Sequence, residues 1–318
     1  MDANLSLDLV RVVEAAAVAA AHWVGKGDDQ AADAAAAQAM RLALRRVGIQ
    51  GKVVVGDGPR GATSVLFIGE TVGMGGTPAD VAADPLGCIT RAARAAPEAL
   101  SAIAIAEPGG LLHAPAVSME KISVGPRAAS ANLDLDAPPG DVLRSVAAAL
   151  GKAASEVTAC LLDRPRHGAL TQALRDAGGR VKTISDGDIV GAISPALPDT
   201  GVDFYIGVGG APEGVLAAAA LRGMGGRMVA RFAPRNDEEK NLVTSAGGVL
   251  GQVYQTEQLA SGQAIFAAAG VTRGLFLDGV RLSGTTAETH AVVIRAGTGS
   301  VRWIRTHHRL DEKGAPRA

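Results

Sequence analysis

Aromatic side chains make up only 3% of this 318-residue chain, so Ala, Val, Leu and Ile must build most of any buried core. Cysteine is nearly absent. Cys88 and Cys160 are too few for a disulfide framework and show no metal-ligand spacing. Net charge is −1 with acids and bases interspersed, so there is no basic field to attract nucleic acid or an anionic membrane. Long apolar runs are missing too: Ala15 to Ala21 is too short and too weakly apolar to span a bilayer. The first residues carry Asp8, Arg11 and Glu14 in a helical pattern and do not read as a signal peptide. A cytoplasmic protein that binds neither nucleic acid nor membrane is the expectation.

What is present is small residues and alternation. Forty-one glycines and an apolar fraction of 47% suit tight helix packing and many turns, and the length allows two layered subdomains. Two Ala-rich helices are expected at about 5–24 and 29–47. Short strands follow at Lys52–Val55, Val65–Gly69, Val81–Asp84, Ala102–Ala106 and Lys121–Val124. Pro138-Pro-Gly140 reads as punctuation, giving an N-terminal α+β metal-binding subdomain over 1–150 and a C-terminal α/β substrate subdomain over 151–318. In the second part strands at Val157–Leu162, Arg180–Ile184 and Val202–Val208 alternate with helices at Gly168–Ala177, Ile189–Ser194 and Glu213–Arg222. That alternation argues an α/β layer with ligand groups at the strand carboxyl ends. Strands at Gln263–Ala269 and Thr289–Ile304 pack back, and Pro234–Lys240 is a charged loop or helix start.

Four acids stand far apart, each beside glycine, proline or a helix start: Asp33, Asp57, Asp84 and Glu213. Carboxylates held at turns can converge on a hard divalent cation, Mg²⁺ or Mn²⁺, which suits phosphoryl chemistry. Singly, each also fits a helix cap or a solvated turn. Arg164 and Arg166 straddle Pro165 just past a strand, and guanidinium forks suit phosphate oxygens. Asp186 and Asp188 flank Gly187 at another strand end, where acids suit sugar hydroxyls or form an Asx turn. Gly209 and Gly210 precede a helix and offer backbone N–H groups to an anion. His167 could reach the same crevice, although a lone histidine beside a helix start is more often structural, and Glu120 and Lys121 receive no chemical role.

With these settings the chain resembles the class II fructose-1,6-bisphosphatase family. The residues carrying the likeness are Gly25-Lys-Gly-Asp28, Ala39-Met-Arg41, Val54-Val-Gly-Asp57-Gly58 and Leu66-Phe-Ile-Gly-Glu70. Further on they are Met119-Glu-Lys-Ile-Ser-Val-Gly-Pro126, Arg164-Pro-Arg-His167, Asp186-Gly-Asp188 and Gly207-Val-Gly-Gly-Ala-Pro-Glu-Gly214. The likeness runs from about residue 7 to about residue 310. It implies a layered αβαβα sugar-phosphatase fold, a metal at Asp33, Asp57, Asp84 and Glu213, and Asp28 as a helix-start residue. It implies catalysis around Asp84, Asp57 and Thr90, with a metal-activated water attacking a phosphosugar. The substrate residues it implies are Ser118, Arg164, Pro165, Arg166, Asp186, Gly187, Asp188 and Gly210. Family habit implies a homodimer or homotetramer.

The chain also departs from that pattern. Its metal loop reads Asp84-Pro-Leu-Gly87-Cys-Ile89-Thr90, with Gly87 where the family has an acid and Ile89 where it has threonine. Pro59 and Gly61 follow Asp57 where further acids are usual. Asp57 itself replaces Glu, Ser118 replaces Tyr and Asp29 replaces Lys. The changes cluster on the metal side while the phosphosugar residues stand. The expectation is a metal-dependent sugar-phosphate phosphatase, unchanged or retuned to another phosphosugar. The alternative is a paralogue that binds a phosphosugar without hydrolysing it.

Overall fold

The computed structural model describes residues 4–56, 58, 65–312 and 314–317. Helices α1 (Leu5–Ala21) and α2 (Asp29–Leu44) open the chain. Asp28 caps α2, its carboxylate accepting from the Ala31 N–H at 2.9 Å, which satisfies a donor the helix cannot bond internally. Strands β1 (Ile49–Val55), β2 (Thr71–Val72) and β3 (Thr77–Gly87) follow, then α3 (Ile89–Ala93) and β4 (Leu100–Ala106). The next segment holds β5 (Ser118–Val124), α4 (Pro139–Leu150), β6 (Thr158–Leu162), α5 (Gly168–Asp176) and β7 (Arg180–Ile184). It continues through α6 (Asp188–Ile193), β8 (Phe204–Gly210), α7 (Ala211–Met224), β9 (Arg227–Phe232), α8 (Asp237–Ser245), β10 (Tyr254–Gln255) and α9 (Thr256–Leu259). Strands β11 (Ile265–Gly270), β12 (Arg281–Ser283), β13 (Thr286–Arg295) and β14 (Ser300–Arg309) end it.

Two units result. Met1–Leu111 with Gly262–Ala318 forms one, and Leu112–Ser261 the other. The sequence suggests a single division near Pro138–Gly140, but that tripeptide caps and begins α4 inside the second unit. The physical cause is pairing. Strand β11 lies between β4 and β13, so the last stretch of chain completes the first unit's sheet.

The first unit's mixed sheet runs β12-β13-β11-β4-β3-β1-β2, with β14 also paired to β13. Helix α1 packs on β13, β11, β4 and β3, and α2 packs on α1, β3 and α3. Leu9, Val13, Ala16, Met40, Leu44, Ile103, Ile105 and Ile265 are buried there, with Trp23 at the margin. An aliphatic core was expected, and each large side chain in it contributes about 1.5–3 kcal/mol. Glu14 on α1 is buried at 2% exposure and accepts from the Thr289 hydroxyl at 2.8 Å. Arg41 donates from Nε to Glu70 Oε1 at 2.6 Å, so two of the motif residues tie α2 to the turn before β2.

The second unit's sheet runs β10-β9-β5-β8-β6-β7. Strands β6, β7 and β8 are mutually parallel, and β5 runs antiparallel between β8 and β9. Ile122 and Val124 of β5 join the core under α4 with Val142, Leu143 and Leu174. Lys121 and Ser123 point to the other face, where both bond α6. This is the α/β architecture expected, helices covering a sheet in each unit.

Three local differences have clear causes. Val65–Gly69 is a turn, because Leu66 (φ 52°) and Gly69 (φ 93°) adopt left-handed backbone. Strand β9 went unread, and Thr289–Ile304 is part of a hairpin, β13 to β14, broken at Ala296–Gly299. No helix among the described residues is long and apolar enough to cross a membrane.

Candidate phosphosugar site

The sheet of the second unit brings five chain segments to one edge. Strands β6, β7, β8 and β9 all end there, and antiparallel β5 begins there, with Ser118 paired to Gly210 and Met119 to Phe232. Ligand groups belong at the carboxyl ends of such strands, where loops are free to face a crevice. A cavity of about 350 Å³ opens at this edge, lined by Ser118, Arg164, Arg166, Asp186, Asp188, Gly210 and Glu213, and also by Arg235. Pro165 begins the 3₁₀ turn that carries the arginines, and Gly187 (φ 95°) supplies the left-handed residue before α6.

Asp188 is the hub. It is 8% exposed; Oδ1 accepts from Tyr205 Oη at 2.5 Å, and Oδ2 accepts from Lys121 Nζ and from the Gly210 N–H at 2.9 Å. Lys121 also donates to Gly210 O at 2.6 Å and is itself fully buried. A carboxylate offers about four lone-pair directions. Three are taken, so Asp188 has room for one hydroxyl donor from a ligand. Burial and the Asp188 charge hold the Tyr205 phenol well above its ordinary pKa, so it remains a donor.

Glu213 stands at the third residue of α7, half-buried, with a buried Oε2 that has no hydrogen-bond partner among the described residues. Burial and then Asp188 push its pKa up, while Lys121 draws it down. A carboxylate in this state fits a cation ligand, because a bound cation would satisfy the orphaned oxygen. The neighbouring glycines are required by space: a Cβ on Gly209 would stand 2.0 Å from Asp188 Oδ2, and one on Gly210 1.9 Å from Glu213 Oε2. Of the two N–H groups expected to cradle an anion, that of Gly210 is engaged instead, as is that of the next residue, Ala211. That of Gly210 bonds Asp188, and that of Ala211 bonds Val117 O at 2.8 Å.

Arg164 donates to Ser185 O and to Asp186 Oδ1 at 3.3 Å, and Arg166 donates to Val208 O at 2.7 Å. His167 is structural, as its sequence setting indicated. Nδ1 bonds Leu162 O at 2.7 Å and Nε2 accepts from the Val208 N–H at 2.9 Å, which ties β6 to β8 in the neutral Nδ1–H tautomer. Burial lowers its pKa. The unfolded chain therefore takes up this proton first as pH falls. The stability is complete above the ordinary value of about 6.5 and is lost as pH drops from there through the folded value. His167→Ala should cost about 1–3 kcal/mol in urea unfolding at pH 7.5 and flatten that acid dependence.

The first unit holds Asp33 and Asp84. Asp33 lies one turn beyond Asp29 on the same face of α2, half-buried, and burial raises its pKa. Thr90 Oγ1 donates to Asp29 Oδ2 at 2.7 Å, so this face of α2 meets the start of α3. Asp84 precedes a bulge in the β3–β4 ladder, and a Cβ on Gly87 would come within 2.8 Å of its Oδ2. Asp57, Pro59 and Gly61 lie outside the described residues. Among the described residues no three His, Cys, Asp or Glu side chains are grouped to hold a metal ion.

Lys121 and Arg235 are the residues that sequence reasoning passed over. Met119, Lys121 and Ser123 share one face of β5, and a lysine placed among buried alternating positions calls for a buried acid. Arg235 follows β9, a strand that was not recognised, and its place repeats that of Arg164 and Arg166 after β6.

An α/β unit with a crevice of guanidinium and carboxylate groups at its strand ends is the site of an enzyme handling a small anionic, hydroxylated molecule. The family model described as "Bacterial fructose-1,6-bisphosphatase, glpX-encoded" matches residues 3–308, and the chain belongs to that family. It is a phosphoric monoester hydrolase of the sugar-bisphosphate phosphatase class, a metal-dependent one. Similar proteins include fructose-1,6-bisphosphatase 1 class 2 of Escherichia coli K12 and the class 2 enzymes of Escherichia coli O6:H1 and Shigella flexneri. Each is 39% identical over 328 aligned residues, which cover 98% of this chain and 97% of the relative.

Proposed function

We propose that the chain hydrolyses one phosphate ester of fructose 1,6-bisphosphate or a closely similar ketose bisphosphate. The observation that carries this is the crevice at the strand ends, where Arg164, Arg166, Asp186 and Asp188 line one cavity of about 350 Å³. The arginines bind phosphate oxygens, and the one open acceptor direction of Asp188 takes a sugar hydroxyl.

By the family pattern, Asp33, Asp57, Asp84 and Glu213 would hold Mg²⁺ or Mn²⁺. When bound, the cation supplies positive charge that draws electrons from the phosphoryl group and balances the charge built up in its transfer. The chain's own part is to position. Thr90, whose proton is directed to Asp29, presents oxygen lone pairs and so accepts a hydrogen bond from the attacking water. Lys121 and Tyr205 both donate to Asp188 and fix the position of its carboxyl group. The chain works in the cytoplasm as a homodimer or homotetramer, which light scattering after size exclusion would check.

The test is phosphate release from a panel of sugar mono- and bisphosphates with Mg²⁺ or Mn²⁺, against a chelator control. Metal-dependent release favouring a ketose 1,6-bisphosphate supports the reading. Thermal stabilisation by the same sugars without release would establish a binding protein in which Gly87 and Ile89 have replaced catalytic groups. A second expectation tests Asp84 as a ligand. Gly87→Ala must displace the Asp84 carboxylate, so the Mg²⁺ concentration for half-maximal rate should rise about tenfold, with the melting temperature unchanged. An unchanged metal requirement would remove Asp84 from the ligand set.

A further inference from the structure

We infer that Arg235 is the specificity-determining residue of the crevice: it grips the phosphate that stays on the sugar. It lines the same cavity as Arg164 and Arg166 but arrives from a different strand end, after β9 and before α8. The inference rests on the sugar-bisphosphate reading, since only a ligand with two phosphates needs a second anion contact.

The argument is a census of donors. A guanidinium carries five N–H groups. Arg164 uses much of its fork on the protein itself. Nη1 donates to Asp163 O at 3.2 Å and to Ser185 O, and Nη2 donates to Asp186 at 3.3 Å. Lys121 is enclosed and engaged by Asp188 and Gly210. Arg166 gives one bond to Val208 O and keeps the rest of its fork. Arg235 donates from Nε at 2.8 Å and from Nη2 at 2.5 Å, both to Glu239 Oε1, which leaves Nη1 uncommitted.

The anchor is built rather than incidental. Glu239 is 7% exposed, its Oε2 accepts the Arg235 backbone N–H at 2.7 Å, and its own N–H is capped by Asn236 Oδ1 at 2.9 Å. Both ends of the arginine are thus fixed to the first turn of α8, and a fork already oriented loses little freedom on binding. Glu239 holds one edge of the guanidinium and the other edge is free to receive a phosphate oxygen. With Arg166 it forms a two-sided clamp drawn from β6 and β9.

A contact to a phosphate that is not transferred is equally strong in the ground and transition states, so its loss raises KM and leaves kcat in place. Arg235 is three-quarters exposed on its side chain, so Arg235→Gln threatens the fold little. Steady-state hydrolysis of fructose 1,6-bisphosphate and of the two fructose monophosphates, with calorimetric binding of each, tests the assignment. Arg235→Gln should raise the bisphosphate KM about 10- to 100-fold with kcat within twofold. Whichever monophosphate is hydrolysed should be unaffected, and Arg235→Lys should recover part of the loss. A fall in kcat at constant KM, or an unchanged KM, overturns the inference while the wild-type activity keeps the bisphosphatase reading. A wild-type chain that neither hydrolyses nor binds these sugars overturns that reading instead.

Discussion

Asp84→Ala is expected to lower metal-dependent phosphate release about 10³-fold, roughly 4 kcal/mol of barrier at 1.36 kcal/mol per decade. Three features of the residue lead there. It stands half-buried before the β3 bulge, its carboxylate is pressed close to the Gly87 backbone, and Leu86 beyond it is buried, so its direction is fixed. The loop that follows turns through Cys88, a non-glycine residue at φ 64°, into α3. The chain therefore turns four residues past the acid. The departures at Gly87 and Ile89 make the expectation sharper, because a loop with fewer acids depends more on the one that remains. The measurement is initial rate with saturating Mn²⁺ in the variant and the wild type, beside thermal melts with and without metal. Loss of rate together with loss of metal-induced stabilisation supports the ligand role. A variant that keeps its rate would show that hydrolysis does not pass through this carboxylate.

Glu213→Gln should separate activity from stability. In the wild type the Glu213 carboxylate sits near Asp188 with a buried oxygen that no described residue satisfies, and its pKa is raised by burial and by that neighbour. A raised carboxyl pKa means that the folded chain holds the proton longer than the unfolded one. The folded state is thus favoured in full only below the ordinary value of about 4.5, and is progressively penalised as pH rises from there through the folded value. An amide carries no charge to desolvate, so the metal-free variant should be more stable at pH 7.5 by about 1 kcal/mol. Turnover should fall about 10²- to 10³-fold, since the variant no longer offers an anionic oxygen to a cation. Chemical unfolding at pH 5 and pH 7.5 reads the first effect: the gain belongs to the higher pH and shrinks at the lower. A variant both active and destabilised would mean that Glu213 is a packing residue.

Much of the second unit was legible in the chain because its signals are local. Strand-to-helix alternation, with Arg164 to Arg166, Asp186 to Asp188 and Glu213 each just past a strand, follows from periodicity and from glycine and proline punctuation. Parallel strands then bring those loops to one edge. Strand β9 was harder. Its antiparallel pairing to β5 is a contact across about a hundred residues, and no local pattern announces which strand it joins. Arg235 was hidden with it.

The sequence by itself determined the α/β class, the aliphatic core, the phosphatase family and which residue types line the crevice. These depend on composition, on short-range pattern and on motifs read residue by residue. Tertiary structure decided the rest. It placed Lys121 under Asp188, left Glu213 with an unanswered oxygen, turned the Gly210 N–H toward a carboxylate instead of an anion, and returned β11 to β14 to the first sheet. Each of those outcomes rests on which distant atoms share a buried space, where every donor and every charge must find a partner or bear the cost of desolvation.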